Sequence, residues 1–275
     1  MSAPARRSRP THVLEVLEVE RRSPHLVRVW AGGPGLVAFD GSEATDRYVK
    51  LWFTQPGHEL DAPWDVEELR ATLAPEHLPV SRTYSVPVVA HDRVAIDFVV
   101  HGDEGLAGPW AAAAQPGDRI VFSGPGGGYV PDVEADAHLL AGDEAAIPAI
   151  GAALAWMAAH APAARGTAYV EVHGAADELP LVSPAGIDVV WLHRGDDVVA
   201  GTSSVLADAV ARHAFDEGRT QVFAHGERES MKAIRDVVRR AGIPREDLSL
   251  SGYWALGRTE DRFQAEKREP IGQIL

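Results

Sequence analysis

Four consecutive residues, Arg82-Thr83-Tyr84-Ser85, form the first arrangement in this chain that could do chemistry. Residues two apart in a strand share a face, so Arg82 and Tyr84 project together while Ser85 falls at the following turn of the backbone. A guanidinium keeps its charge at every relevant pH and can grip a diphosphate through paired hydrogen bonds. The phenol ring beside it offers a flat stacking surface. A second arrangement runs His101-Gly102-Asp103-Glu104-Gly105-Leu106-Ala107-Gly108-Pro109-Trp110 into an alanine-rich stretch that ends in Gln115-Pro116-Gly117-Asp118. Glycines let a backbone approach a phosphate, amides at a helix start hold an anion, and Pro109 suits a first helical turn. The third, Leu139 to Ile150, reads as strand, tight turn and helix start, the geometry that sets a dinucleotide at the carboxyl edge of a parallel sheet. Its turn, Gly142-Asp143-Glu144-Ala145, is acidic, which favours the helix dipole but repels a pyrophosphate. Each arrangement also has a plain structural reading: an edge strand, a loop-to-helix connection, and an acidic pair capping a helix.

The elements that must position these residues change character along the chain. Alternating or β-rich runs at His12 to Glu20, Leu26 to Trp30, Tyr48 to Phe53, Arg82 to Val89, Val94 to Val100 and Arg119 to Phe122 predict a small antiparallel barrel. A short helix is expected at Trp110 to Gln115. After the turn-rich stretch Gly124 to Asp132, strand-like runs at Ala137 to Ala141, Thr167 to Val172, Ile187 to His193, Gln221 to Ala224 and Leu248 to Ser251 alternate with helix-like ones. Those helices are expected at Ala145 to His160, Ser203 to His213 and Glu227 to Ala241, an alternation that predicts a mostly parallel sheet. In the last of them Met231, Ile234, Val237 and Val238 make an apolar face, and Arg228, Lys232, Arg235, Arg239 and Arg240 read as a solvated one. The charged segment from Thr259 to Leu275 reads as a terminal helix or tail.

Composition narrows the chemistry. The 275 residues contain 40 acidic and 26 basic side chains, a formal charge of −14, which sets long-range repulsion against nucleic acid or an anionic membrane surface. No run approaches the roughly 20 apolar residues of a membrane span. The start, with Arg6, Arg7 and Arg9, lacks the apolar centre of a signal peptide and reads as a short disordered lead into a cytosolic protein. The chain has no cysteine, so disulfides, thiolate catalysis and a cysteine-held cluster within it are excluded. Any redox chemistry falls to an organic cofactor.

These blocks, in this order from Tyr48 to Gly257, resemble the siderophore-interacting proteins of the ferredoxin reductase superfamily. Arg82 to Ser85 resembles the flavin motif R-x-Y-[ST], and His101 to Asp118 the family's HG loop followed by WAAAAQPGD. Leu139 to Ile150 is similar to LLAGDETALPAI, and Gly252-Tyr253-Trp254-Ala255-Leu256-Gly257 to the terminal GYWRxG. Trp191 to Arg194 and Ala224 to Glu227 fit the same pattern. The resemblance implies a β plus α/β two-domain protein: a flavin-binding antiparallel β-barrel over residues 1 to 133 and an NAD(P)H-binding-like α/β domain with a tail over residues 134 to 275. It implies FAD held by Arg82, Thr83, Tyr84, Ser85, His101, Gly102, Gly105, Leu106, Ala107, Gly108 and Trp110. Gly142, Asp143, Glu144, Ala145, Gly226, Glu227, Tyr253 and Trp254 complete its cofactor-binding set. NADH, NADPH or an external electron carrier would supply electrons, and a ferric siderophore would receive them. A flavin is needed between the two because hydride brings two electrons and iron(III) accepts one. Iron(III) is a hard cation held tightly by chelator oxygens, and iron(II) suits them less well. Lys50, Arg194 and Arg258 are the candidate contacts to an anionic chelate. No catalytic acid or base and no metal ligand set is expected.

Four positions depart from the family pattern. Pro87 stands where relatives often carry arginine, Gly108 replaces serine, Ala145 replaces threonine, and Ala255 replaces a basic residue. Two other readings stay open at this level: a general flavin or ferric reductase, and a chelate-binding protein that has lost electron transfer.

Overall fold

The computed structural model describes residues 11–101, 105–215 and 217–275. They form two compact units: one of residues up to Arg21, Val27–Glu43 and Arg47–Gly127, the other of Arg22–Leu26, Ala44–Asp46 and Gly128–Leu275.

The first unit contains β1 (His12–Ser23), β2 (Leu26–Gly32), β3 (Tyr48–Phe53), α1 (Val66–Thr72), β4 (Val80–Ser85), β5 (Val88–Val89), β6 (Val94–Val99), α2 (Ala107–Ala113) and β7 (Arg119–Gly126). Its seven strands lie in the order β4-β3-β7-β1-β2-β6-β5, and β3 runs antiparallel to both β4 and β7. Alternate residues point inward, so Val16, Val29, Leu51, Ile96, Phe98 and Phe122 fill the core. The ends of the sheet meet where Tyr84 of β4 packs on Phe98 of β6, ring centroids 4.4 Å apart.

Three local expectations change. The run Arg82 to Val89 is two strands, because Pro87 has no amide hydrogen to give to a ladder. The helix expected from Trp110 begins at Ala107, with Pro109 in its first turn. Helix α1 was not expected; Asp65 starts it by accepting from the Glu67 and Glu68 amides.

The second unit contains β8 (Ala137–Gly142), α3 (Ile147–His160), β9 (Arg165–Val172), β10 (Gly186–His193), α4 (Val205–Arg212), β11 (Thr220–Glu227), α5 (Arg228–Arg240), β12 (Leu248–Trp254) and α6 (Glu260–Glu266). Its five strands run in the order β10-β9-β8-β11-β12, and every neighbouring pair is parallel. Chain order reverses between β8 and β11, so the carboxyl edge opens a crevice there, where ligands of such sheets bind. Met231, Ile234 and Val238 of α5 pack with Leu139, Ala141, Val222 and Ala224 of the sheet. Among the described residues no helix is long and apolar enough to cross a membrane.

Candidate functional site

In the first unit, the sheet register sorts the residues of β4 by face. Tyr48 lies opposite Ser85, Lys50 opposite Thr83 and Leu51 opposite Arg82, and directly opposed residues share a face. Arg82 and Tyr84 therefore lie on the side of the buried Leu51 and Val49, while Thr83 and Ser85 lie on the side of Tyr48 and the exposed Lys50. Arg82 is half-buried and donates from Nη1 to the Ser81 carbonyl at 2.8 Å. Phe98 draws the second arrangement in: its ring lies 5.7 Å from that of Trp110 in α2, which also meets Phe53 edge-on at 5.9 Å. The edge strand and the loop leading into α2 thus converge on one aromatic cluster. His101, Gly105 and Leu106 are exposed ahead of it, Ala107 is buried, and Gly108 is half-buried; Gly102 lies outside the described residues. Gly105 has φ +86° with nothing within 4 Å of where a Cβ would stand, so the turn faces open space. A half-buried guanidinium, a half-buried phenol, a nearby hydroxyl and an open glycine turn are a donor set that fits a flavin dinucleotide. At Gly108 a Cβ would come 3.4 Å from the Val99 carbonyl, close but not forbidding for a serine.

An open cleft of about 420 Å³ lies at the end of β7, lined by His12, Asp40, Ser42 and residues 124–127. Tyr48 covers Gly126 there, so closely that a Cβ would come within 2.5 Å of its hydroxyl.

In the second unit, the carboxyl ends of the strands meet at Asp143. Its Oδ2 accepts from the Glu227 amide at 2.7 Å and from the Trp254 indole at 2.8 Å, and its Oδ1 accepts from the Ala145 amide at 3.0 Å. One carboxylate therefore ties β8, β11 and β12 together. The pair Asp143 and Glu144 was expected to favour or cap the following helix. Helix α3 instead begins at Ile147, with no side-chain cap, and both acids are buried. Burial, and Glu144 beside it, push Asp143 up to about 7. At Gly226, φ +155° and a would-be Cβ 2.7 Å from Asp143 Oδ2 leave room only for glycine.

Arg194, at the end of β10, is buried against two acids, with Nη2 2.5 Å from Glu144 and Nη1 3.6 Å from Glu171. Its Nε and Nη1 find no hydrogen-bond partner, and the cavity it lines, with Asp143, Glu144, Glu171, Glu227 and Trp254, measures about 10 Å³. That is room for about one water. Glu171 was not anticipated; the signal was a charged residue inside the apolar run Val170 to Val172. Burial pushes its carboxyl upward, and Arg194 opposes the rise. Tyr253 is half-buried and meets His225 edge-on at 4.9 Å. Burial drives His225 down to about 3, leaving a neutral ring.

Arg228, read as part of a solvated face, and Arg258, named as a chelate contact, are tied to one carboxylate of the terminal segment. Arg228 is 4% exposed and its Nη1 lies 2.6 Å from Glu266, and Arg258 lies 2.8 Å from the same carboxylate. With Arg262 at 2.9 Å, three arginines hold Glu266 down at about 2, Arg228 foremost. The terminal segment is a docked element, with Phe263 and Ile274 buried. Of the candidate chelate contacts, Arg194 and Arg258 are already paired with carboxylates of their own unit, while Lys50 is exposed on β3.

Comparison with known proteins matches both halves of the chain. Residues 15–129 match the siderophore-interacting FAD-binding domain, and residues 135–257 match the siderophore-interacting protein domain. A ferric vibriobactin reductase of Vibrio cholerae is 31% identical, over 93% of this chain and 93% of the relative. An NADPH-dependent ferric-chelate reductase of Escherichia coli is 34% identical over 68% of this chain and 72% of its own. The crystal structure of a siderophore utilization protein from T. fusca superposes with a TM-score of 0.78 at 35% identity, covering 90% of this chain and 94% of that one. With the barrel carrying its flavin motif, the parallel sheet its acidic turn, and relatives aligned along nearly the whole length, this chain belongs to the siderophore-interacting protein family.

Proposed function

We propose that this protein is an FAD-dependent ferric-siderophore reductase, taking electrons from NAD(P)H and delivering them to chelated iron(III) so that the metal can be released. The observation that carries the reading is the packing of Tyr84 and Trp110 on Phe98, which brings the strand of Arg82 and the helix that follows the Gly105 turn to one aromatic cluster, within a chain of this family. Bound FAD supplies the step from paired to single electrons.

Everything else is positioning. Arg82 clamps the cofactor's pyrophosphate, Tyr84 gives it a stacking face, Thr83 and Ser85 offer hydroxyls on the opposite face of the strand, and the exposed turn at Gly105 and Leu106 offers backbone amides. His101, Gly102, Ala107, Gly108 and Trp110 complete that seat. The nucleotide enters at the carboxyl edge of the second unit, over Gly142 to Ala145 and Gly226 to Glu227, with Tyr253 and Trp254 on the last strand. Lys50 meets the anionic chelate. It lies two residues from Tyr48, which borders the open cleft, so the two side chains share a face roughly 7 Å apart along the strand. A division of labour at about residue 133, a cytoplasmic location and an external electron carrier as alternative donor belong to the same reading.

Anaerobic titration of the purified protein with NADH and NADPH, followed by a ferric siderophore, tests it. The flavin bands should bleach and then return as iron(II) appears. Preparations that neither contain FAD nor take it up would end the proposal. Equal rates with ferric siderophores, small ferric chelates and dyes would reduce it to a general reductase.

A further inference from the structure

We infer that the crevice of the second unit selects NADH over NADPH, because it is built to accept a ribose diol and to reject a 2′-phosphate. The inference rests on the proposed docking of a nicotinamide nucleotide at this edge. Among the described residues, four acidic side chains, Asp143, Glu144, Glu171 and Glu227, surround a single guanidinium, Arg194, at the ends of β8, β9, β10 and β11. A 2′-phosphate brings about two further negative charges at neutral pH, as phosphate monoesters do. Carboxylates only accept hydrogen bonds, and so do phosphate oxygens, whereas a hydroxyl donates to the first and accepts from a guanidinium. Arg194 offers just that: its side chain is 8% exposed, and its Nε and Nη1 lack hydrogen-bond partners. The space beside it, about 10 Å³, suits an oxygen the size of water and not a phosphate. An acid that receives the ribose hydroxyl is how parallel nucleotide sheets favour the unphosphorylated cofactor, and a nearby arginine is how they favour the other.

Among the described residues, the remaining cations near this edge do not supply that arginine. Arg228 and Arg258 hold Glu266, and Lys232 holds Glu229 at 3.0 Å. His173 and His193 face Asp196 and Glu178 at 2.9 and 2.7 Å. Arg239 and Arg240 are exposed but close the 13-residue α5, which starts at the carboxyl edge. At 1.5 Å per residue they lie roughly 18 Å away, at its other end.

The test uses the whole chain with its flavin and two probes that cannot react, ADP-ribose and 2′-phospho-ADP-ribose, titrated calorimetrically. ADP-ribose should bind about 100-fold more tightly, given what like charges across an interface cost. NADH should bleach the flavin with the same preference in kcat/KM. Glu171→Gln and Glu144→Gln, two independent near-isosteres in case one fails to fold, should each shrink the preference by about tenfold by leaving Arg194 less neutralised. Equal or tighter binding of the phosphorylated probe overturns the inference and leaves the reductase reading intact, as does a preference that survives both variants. If neither probe binds and neither nucleotide bleaches the flavin, the nucleotide docking itself is wrong and the inference goes with it.

Discussion

Replacing Asp143 with asparagine separates the two roles of that side chain, acceptor for two amides and an indole, and buried charge. Asp143 is 6% exposed, faces Glu144, Glu171 and Glu227 across the cavity, and has Arg194 as the only cation there among the described residues. Its carboxyl is raised from 3.8 to about 7 by burial and by Glu144. Between those values the native state keeps a proton that the unfolded chain has released. The free energy of unfolding therefore falls as pH rises from about 4 to about 7 and levels off above, by about 4 kcal/mol at 1.36 kcal/mol for each pH unit. In the variant, the amide oxygen can keep the Glu227 and Trp254 hydrogen bonds, which leaves the amide nitrogen against the Ala145 N–H, donor against donor. Losing that single 3.0 Å bond costs about 1–3 kcal/mol, independent of pH. The variant should thus be less stable than the parent near pH 4, about level with it near pH 5 and more stable near pH 8. Urea unfolding followed by tryptophan fluorescence across this range reads the difference directly. Two curves that stay parallel would show that Asp143 keeps its charge throughout, and the reasoning from burial would be refuted.

Arg82→Ala should give folded protein with markedly less FAD, since one charge-assisted clamp is worth about 1.5–3 kcal/mol, or roughly 10- to 150-fold in affinity; full occupancy would remove the clamp role. Lys50→Glu should raise KM for an anionic ferric chelate and leave flavin content intact, so unchanged kinetics would take Lys50 out of the substrate contact. Phe263→Ala removes a ring that is 2% exposed and should cost about 3–5 kcal/mol of stability in the second unit; a loss under about 1 kcal/mol would mean the terminal segment is only loosely docked. Glu266, lowered from 4.5 to about 2, contributes stability that is complete above about pH 5 and drains away as pH falls toward 2, and Glu266→Gln should remove that acid-dependent limb from the unfolding profile.

What could be read from the sequence was what short-range rules govern. The strand Tyr48 to Phe53 is visible to the residue because its alternation is regular and its flanks are turns. The parallel sheet follows from strand and helix alternation, but its strand order, with the reversal between β8 and β11, is set by long-range pairings that the alternation does not specify. Pairings between distant residues were not visible. Nothing local in Arg228 tells that Glu266, 38 positions on, will bury it, so it reads as one more charge on a solvated face. The same holds for Asp143, whose neighbours in sequence suggest a helix cap and whose partners in space, Glu227 and Trp254, come from two other strands. Helix α1 is a different case, since Asp65 followed by Glu67 and Glu68 is a local start signal in the sequence itself.

The charge pattern of the second unit explains why its arginines are poor candidates for substrate. Arg194, Arg219, Arg228 and Arg258 each lie within 3 Å of a carboxylate in their own unit. A paired guanidinium can still orient a neutral hydroxyl, as proposed for Arg194, but it offers an anion little net attraction once its partner's charge is counted. Against a formal charge of −14, an anionic chelate must be held by local contacts, because the field of the whole molecule pushes it away. Lys50 is an exposed ammonium on a strand that also carries Tyr48 and Trp52 on the same face, and the indole of Trp52 is fixed by the Ser123 hydroxyl at 2.9 Å. A cation between two aromatic side chains on one strand is a better seat for a large anion than a cation already matched to an acid, which favours the proposed placement of the substrate on the barrel and the nucleotide on the sheet.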